Sequence, residues 1–217
     1  MSDNTHIVIN NNNINYYLDI FNNYSTYKNY LNNIEFLDIS NTTIEYIPHG
    51  LINLRYLRCN KTNITYIPDY LINLVELQCE YTKITTIPST LDKLKTIYCG
   101  NTNTTYIPSS LKQLGTLYCN NTKITILPNS LTELEELDCS NNNIYYIPNT
   151  YKYLTYLNCS NTYITEIPDT LDHIDMLNCS NTKITMLPST MTELKYLTYD
   201  NTNIRNIPDN IQEIPDI

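Results

Sequence analysis

Apolar residues return along this chain at a fixed step of twenty. Leu37, Leu57, Leu77, Ile97, Leu117, Leu137, Leu157, Leu177 and Leu197 occupy one position of the repeat, with no insertion between them. Two residues further on stand Ile39, then Cys59, Cys79, Cys99, Cys119, Cys139, Cys159 and Cys179, then Tyr199, so that all seven cysteines share one position. Three residues later come threonines from Thr42 to Thr202, replaced once by Asn142, and the units close on I-x-x-[IL]-P at Pro48 through Pro208, with Thr104 once in place of the first Ile. Alternation within "YLNCS" puts Leu157 and Cys159 on one face of a short strand and Tyr156, Asn158 and Ser160 on the other. Nine such strands at constant spacing predict a parallel sheet wound as a solenoid, with the Leu and Cys positions turned into a narrow core. Proline fixes φ where the chain leaves for the far side. The Ser, Thr, Asp or Asn that follows, as in "PSTL" and "PDTL", predicts capping of one turn of 3₁₀ or short α-helix.

One unit reads L-x-x-L-x-C-x-x-T-x-I-x-x-I-P-x-x-L-x-x, which resembles the leucine-rich repeat, L-x-x-L-x-L-x-x-N-x-L. The resemblance covers about residues 34–217 and departs from the family at two positions, Cys for the third Leu and Thr for the ladder Asn, with Asn142 alone keeping the family residue. It implies an α/β solenoid, mostly β: a right-handed superhelix with a parallel concave sheet and short 3₁₀ or irregular convex segments. The twenty-residue length and the I-P step look most like the short repeats of secreted bacterial effectors. The Cys and Thr usage is also similar to repeats in giant DNA viruses of amoebae. In the family the Asn ladder satisfies backbone groups of adjacent coils. A Thr hydroxyl, which can donate to a neighbouring carbonyl and accept from an amide, is expected to keep that role with fewer bonds.

The ends depart from the period. In "HIVINNNNINYYL", Ile7, Ile9, Asn12 and Ile14 fit the Leu, Cys, Thr and Ile positions of half a coil. Between Leu18 and Leu31, Tyr17, Phe21, Tyr24, Tyr27 or Lys28, Leu31 and Ile34 recur at helical spacing and predict an amphipathic helix. Residues 1–33 are therefore expected to form an N-terminal cap of half a coil plus a helix, with a docking helix for a partner as the alternative. Residues 34–217 are expected to form nine repeats of twenty and an incomplete last coil, the whole being one structural domain. Ile211, Ile214 and Ile217 fall in Leu positions of that last coil, so either Tyr199 in the Cys position suffices to cover the end or its edge pairs with another chain, and a homodimer through the C-terminal end is the expectation.

Charge and chemistry narrow the function. A formal net charge of −9 and a pI near 4.7 argue against nucleic acid or an anionic membrane as partner. The N-terminus lacks a basic region, an apolar run and a cleavage site, and no stretch approaches the roughly 18 apolar residues that span a bilayer. The expectation is a cytoplasmic, non-secreted protein, in the host cytoplasm if viral. Asn-x-Ser/Thr sequons such as "NCS" arise freely in a chain this rich in Asn and Thr, and their glycosylation would require secretion. Stacked coils hold thiols about 4.8 Å apart with parallel Cα–Cβ vectors, unsuited to a disulfide, and a linear file cannot converge on one zinc ion. The cysteines are expected to be core filler in a reducing compartment, with no metal and no cofactor. His6, His49 and His173 fall in unrelated positions. Glu136 and Asp138 share an open surface without a cleft, so no enzyme is expected. A ubiquitin ligase of the bacterial-effector kind would need a catalytic domain, and every cysteine here sits in the core position.

What remains is the concave face. Its candidate binding residues are Tyr56, Arg58, Glu76, Gln78, Glu80, Tyr98, Tyr118, Glu136, Asp138, Tyr156 and Asn158, and a third outward column runs from Ser40 through Ser160 to Asp200. Tyr98 beside Tyr118, framed by Glu76, Glu80, Glu136 and Asp138, reads either as an aromatic anchor with a charged rim or as a cross-strand pair that merely stabilises the sheet. The leading expectation is a non-enzymatic scaffold for protein–protein interaction that binds a protein partner on this face. Alternatives are a glycan-binding module, using Tyr, Asn and Asp to stack on and bond sugars, or a self-assembling structural protein.

Overall fold

The computed structural model describes residues 5–205, 207 and 212–213. Its strands follow the twenty-residue step without a slip. The chain runs β1 (His6–Val8), α1 (Ile14–Asn22), α2 (Tyr24–Asn32), then β2 (Phe36–Asp38), β3 (Tyr56–Arg58), β4 (Glu76–Gln78), β5 (Thr96–Tyr98), β6 (Thr116–Tyr118), β7 (Glu136–Asp138), β8 (Tyr156–Asn158), β9 (Met176–Asn178), β10 (Tyr196–Thr198) and β11 (Gln212–Glu213). All pair in parallel, in chain order, as one eleven-stranded sheet. From β2 to β10 each residue faces its counterpart twenty positions on, Leu57 against Leu77 and Leu77 against Ile97 for instance. In β11 the step shortens and Glu213 lies against Leu197. Ile211, Ile214 and Ile217, expected in the Leu positions of a further coil, lie outside the described residues.

One core runs the length of the stack. The Leu position and the whole Cys file are buried, as are Leu54 through Leu194 and the isoleucines of the I-x-x-[IL]-P step from Ile44 to Ile184. The seven thiols are free and enclosed. Burial pushes Cys59, Cys99 and Cys179 up to about 12, and the others upward as well. Two outcomes follow. A bulky maleimide should label none of the seven in the native protein within minutes and all of them in denaturant; fast labelling of several would place them outside the core. Because the folded-state thiol values lie above the unfolded one, this contribution to stability is complete below pH 9 and declines as pH rises toward 12. A thermal melt that is flat across that window would contradict it.

The threonines act differently from the expected ladder. Thr42, Thr62, Thr82, Thr102, Thr162 and Thr182 each donate to the carbonyl three residues back in their own coil, at 2.6–2.7 Å. Their side chains are too short to cross to the next coil. Asn142 does cross: its Nδ2 donates to the Cys119 carbonyl of the preceding coil at 2.8 Å, and its Oδ1 accepts from the Thr122 amide at 2.9 Å. The residue before each threonine adopts φ between 51° and 58°, at Asn41, Lys61, Tyr81 and six further asparagines from Asn101 to Asn201. Asn tolerates that left-handed turn best, and its recurrence there is a sequence signal that the period alone does not interpret.

On the convex side the chain makes single turns, such as Leu54 N–H to Leu51 O at 3.1 Å. The hydroxyls expected to cap them instead bridge coils. Thr90, Ser110, Ser130, Thr150, Thr170 and Thr190 donate to the carbonyls of Asp69, Ser89, Ser109, Asn129, Asn149 and Asp169 at 2.7–2.8 Å. Single turns offer too few free amides to need caps, whereas each stacked coil presents a carbonyl at this height.

The expected helix between Leu18 and Leu31 forms as two helices of nine residues, beginning earlier at Ile14. Asn23 breaks it: its Nδ2 donates to Asp19 O at 2.8 Å and its amide bonds back to the Asp19 and Ile20 carbonyls, closing α1. Ile20, Phe21 and Leu31 are buried while Tyr17, Tyr24 and Tyr27 pack on the core's end. Ile7 and Ile9 extend the buried columns, but Asn12 is exposed and Ile14 only half-buried, because the half coil diverts into α1 at that point. Gly50, at φ +91°, lies beneath the Tyr24 ring, where any Cβ would collide with it.

Candidate functional site: the concave sheet

Three-residue strands with a buried centre leave two outward positions per coil, and these form the concave surface. In the middle, the structure brings four of the expected residues together. The Tyr98 and Tyr118 rings meet edge to face, 5.1 Å apart with planes at 74°. Tyr118 also lies 6.0 Å from Tyr156, a diagonal neighbour two coils on. Its hydroxyl donates to Glu136 Oε2 at 3.2 Å. Burial first, then the Glu136 charge, moves the Tyr118 phenol well above its ordinary value, and Tyr98 shifts the same way for the same reasons. The phenols therefore stay neutral donors across the physiological range.

A second group sits toward the N-terminal end. Arg58 Nη2 is 3.5 Å from Glu76 Oε1, and the guanidinium rests 5.3 Å from the Phe36 ring centre. Gln78 Nε2 donates to Glu76 at 2.7 Å, and Asn60 Nδ2 to Gln78 Oε1 at 3.3 Å. Asn60 Oδ1 in turn accepts the Glu80 amide at 2.8 Å. Burial raises the Glu80 carboxyl, with Lys61 pulling the other way. Arg58 Nε is buried without a hydrogen-bond partner in this network. Asp138 and Asn158 form a third pair, Nδ2 to Oδ2 at 3.2 Å. Tyr56 lies between Phe36 and Glu76 in the strand register, with Arg55 5.7 Å from its ring centre. Phe36 and Asn60, which hold Arg58 and Gln78 in place, are the members that pairwise reading of the sequence does not single out.

The third outward column is half-buried at Ser40, Asn60, Glu80 and Asn120 and withdrawn in three later coils. Ser140, Ser160 and Ser180 are 3%, 6% and 0% exposed, so they cannot meet a partner as expected. Each donates its amide N–H to the side chain two residues back, as in Ser160 N–H to Asn158 Oδ1 at 3.2 Å, which turns the chain inward immediately after the strand. At Gly100 the Asn120 amide fills the space a Cβ would need. Elsewhere, His6 stacks on Phe36, His49 packs on Tyr70 and His173 lies on an outer flank 3.5 Å from Glu193. Among the described residues, no three metal-ligating side chains converge and no helix is long and apolar enough to cross a membrane.

Residues 153–174 match the leucine-rich-repeat family model, one unit of the nine, and that unit sits in an unbroken stack whose Leu, Cys and Thr columns are all in register. The fold is the leucine-rich-repeat solenoid. Solved structures agree. A leucine-rich-repeat protein of Leptospira interrogans superposes with a TM-score of 0.75 at 23% identity, over 86% of this chain and 56% of its own. The functional domain of InlJ from Listeria monocytogenes, described as including a cysteine ladder, gives 0.78 at 28% identity, over 85% of this chain and 43% of its own. A plant peptide hormone receptor, RGFR1 in complex with RGF2, gives 0.68 at 24% identity, over 79% of this chain and 32% of its own. The chain thus spans about half the length of the first two. No curated protein matches the sequence. In this chain the seven thiols are free and buried, one per coil from Cys59 to Cys179, Cys packing as a small apolar residue where the general pattern has Leu.

Proposed function

We propose that this chain is a non-enzymatic solenoid that holds a protein partner against its concave sheet around Tyr98, Tyr118 and Tyr156. The observation that carries this is the half-exposed aromatic cluster, with Glu136 bonded to its centre, on strands that are ordered before anything binds. Aromatic anchors lose little side-chain entropy on binding and are common centres of interface energy. Glu76, Glu80, Glu136 and Asp138 around them, with Arg58 as the nearby counter-charge, favour a partner whose contacting face is basic. The plant receptor structure supports the reading by analogy, since a solenoid of this fold is seen there with RGF2. Non-enzymatic action is favoured because the carboxylates lie on an open sheet, where water is not excluded and general acid–base chemistry gains little. A reducing, cytoplasmic setting suits a file of seven thiols that burial keeps protonated.

The test is a pull-down from lysate with wild type and with Tyr98→Ala/Tyr118→Ala. Loss of one captured protein in the variant, with an affinity drop of about 30-fold or more on the purified pair, supports the proposal. Equal capture by both proteins sinks it. Binding on a glycan array that disappears in the same variant would assign the cluster to sugars instead.

A further inference from the structure

The flank by which the chain enters each strand carries charge in an order the concave site does not use. The column immediately before the strands reads Glu35, Arg55, Val75, Lys95, Gly115, Glu135, Thr155, Asp175, Lys195. It is antisymmetric in charge about Gly115. Lys95 lies one coil before it and Glu135 one coil after. Arg55 and Asp175 lie three coils away on either side, and Glu35 and Lys195 lie four. A neighbouring column repeats the inversion, with Lys93 and Glu133 one coil either side of Gln113. Arg55, Lys93, Lys95, Glu133, Glu135 and Lys195 are exposed, and Glu35 and Asp175 are half-buried. Two depressions lie on this flank on either side of Gly115, one lined by Asn53, Arg55, Asn73 and Lys93 and reaching Glu35 and Thr5, the other lined by Glu133, Tyr153, His173 and Glu193.

Coils in a parallel stack are evenly spaced at about 4.8 Å. A two-fold axis perpendicular to both the strands and the stack, in the plane of contact and level with Gly115, therefore lays each coil of one copy on a coil of the other in register. Lys95 then meets Glu135 and Lys93 meets Glu133, while Arg55 and Glu35 meet the Asp175–Lys195 ion pair, whose members lie 3.5 Å apart within one chain, and each contact occurs twice. Charge inversion about one central coil is what a self-complementary contact requires, and a foreign partner would impose no such symmetry. At the dyad the side chain is absent. A Cβ at Gly115 would meet only the Glu133 and Lys95 carbonyls at 3.8 Å, an ordinary contact, so the chain's own packing does not demand glycine there. Its absence lets two backbones approach.

We propose that two copies of this chain associate side by side and antiparallel through this flank, leaving both concave sheets open. The strip is long and only a few residues wide, which puts it at the small end of interfaces, so the association is weak and sensitive to salt. In sedimentation at low ionic strength the wild-type mass should rise toward the dimer between about 10 µM and about 1 mM, and return to the monomer in about 0.5 M salt. Lys93→Glu/Lys95→Glu and Glu133→Lys/Glu135→Lys change exposed residues only, and each should keep the wild-type circular dichroism and remain monomeric alone. Mixed one to one, the two should associate at least about tenfold more tightly than either does with itself, because the reversed charges again face opposite ones. A mixture no tighter than its components would overturn the proposal. So would a wild-type monomer at about 1 mM in low salt, or a dimer whose longest dimension in scattering is nearly double the monomer's, the mark of end-to-end pairing through the C-terminal edge.

Discussion

Tyr151→Ala is expected to destabilise the solenoid by about 4 kcal/mol, more than any other single truncation on the convex side. Tyr151 occupies a position that is leucine in most coils, as at Leu111, Leu131 and Leu171, and is fully buried there. Its hydroxyl reaches back through the stack to donate to the Pro128 carbonyl at 2.9 Å, so ring and bond both tie two coils together. Alanine would remove the ring and leave a cavity between layers that the rigid stack cannot close. Tyr151→Leu restores the usual residue and should cost about 1–2 kcal/mol, because the remaining void is smaller. Tyr151→Phe should cost about 1 kcal/mol for the lost hydrogen bond. Urea denaturation would order the three variants. Since each coil of a solenoid touches only its neighbours, hydrogen exchange in the alanine variant should quicken at Cys139 and Cys159 far more than at Cys59. A uniform loss of protection would show that the stack unfolds as one unit.

Asn142→Leu is expected to cost about 3 kcal/mol, although it replaces a buried polar residue with an apolar one of similar size. The two Nδ2 hydrogens of Asn142 are shared among three carbonyls, Cys119 at 2.8 Å and Cys139 and Ser140 at 3.1 Å. Its Oδ1 accepts both the amide and the hydroxyl of Thr122 at 2.9 Å. Leucine would leave the Thr122 amide without that acceptor in a half-buried turn, where water replaces the lost bond only in part. Asn142→Thr should cost only about 1 kcal/mol, because the other coils show that a Thr hydroxyl in this position closes its own turn. The link to the preceding coil would still be lost. A denaturation midpoint that falls equally for Leu and Thr would mean that the inter-coil bond contributes nothing beyond the local one.

In the two proposals the concave cluster and the charged flank serve different kinds of contact. The first concentrates rings and carboxylates on a few central coils, suited to one partner held at a fixed place. The second spreads single charges along nearly the whole stack, which gives orientation and register more than strength. Both rest on one property of the solenoid: a residue type repeated or inverted at a step of twenty becomes a straight column in space.

The sequence by itself determined the columns. Nine in-register copies of one pattern were enough to set strand positions, pairing, the core file of thiols and the outward residues at Tyr98, Tyr118 and Glu136, because a strict period leaves only one way to stack equal coils. Asn in the left-handed turn was equally present in the sequence, but its meaning depends on a φ value that only a folded turn supplies. Tertiary structure decided what happens between columns. It placed Tyr118 against Tyr156 across a diagonal and drew Ser160 out of reach of a partner. It also turned convex hydroxyls from caps into bridges, and split the cap helix at Asn23. Each of these depends on how far a side chain reaches and which backbone group it finds there. A repeat pattern records which residues share a column, while reach and partner are set only when neighbouring coils come into contact.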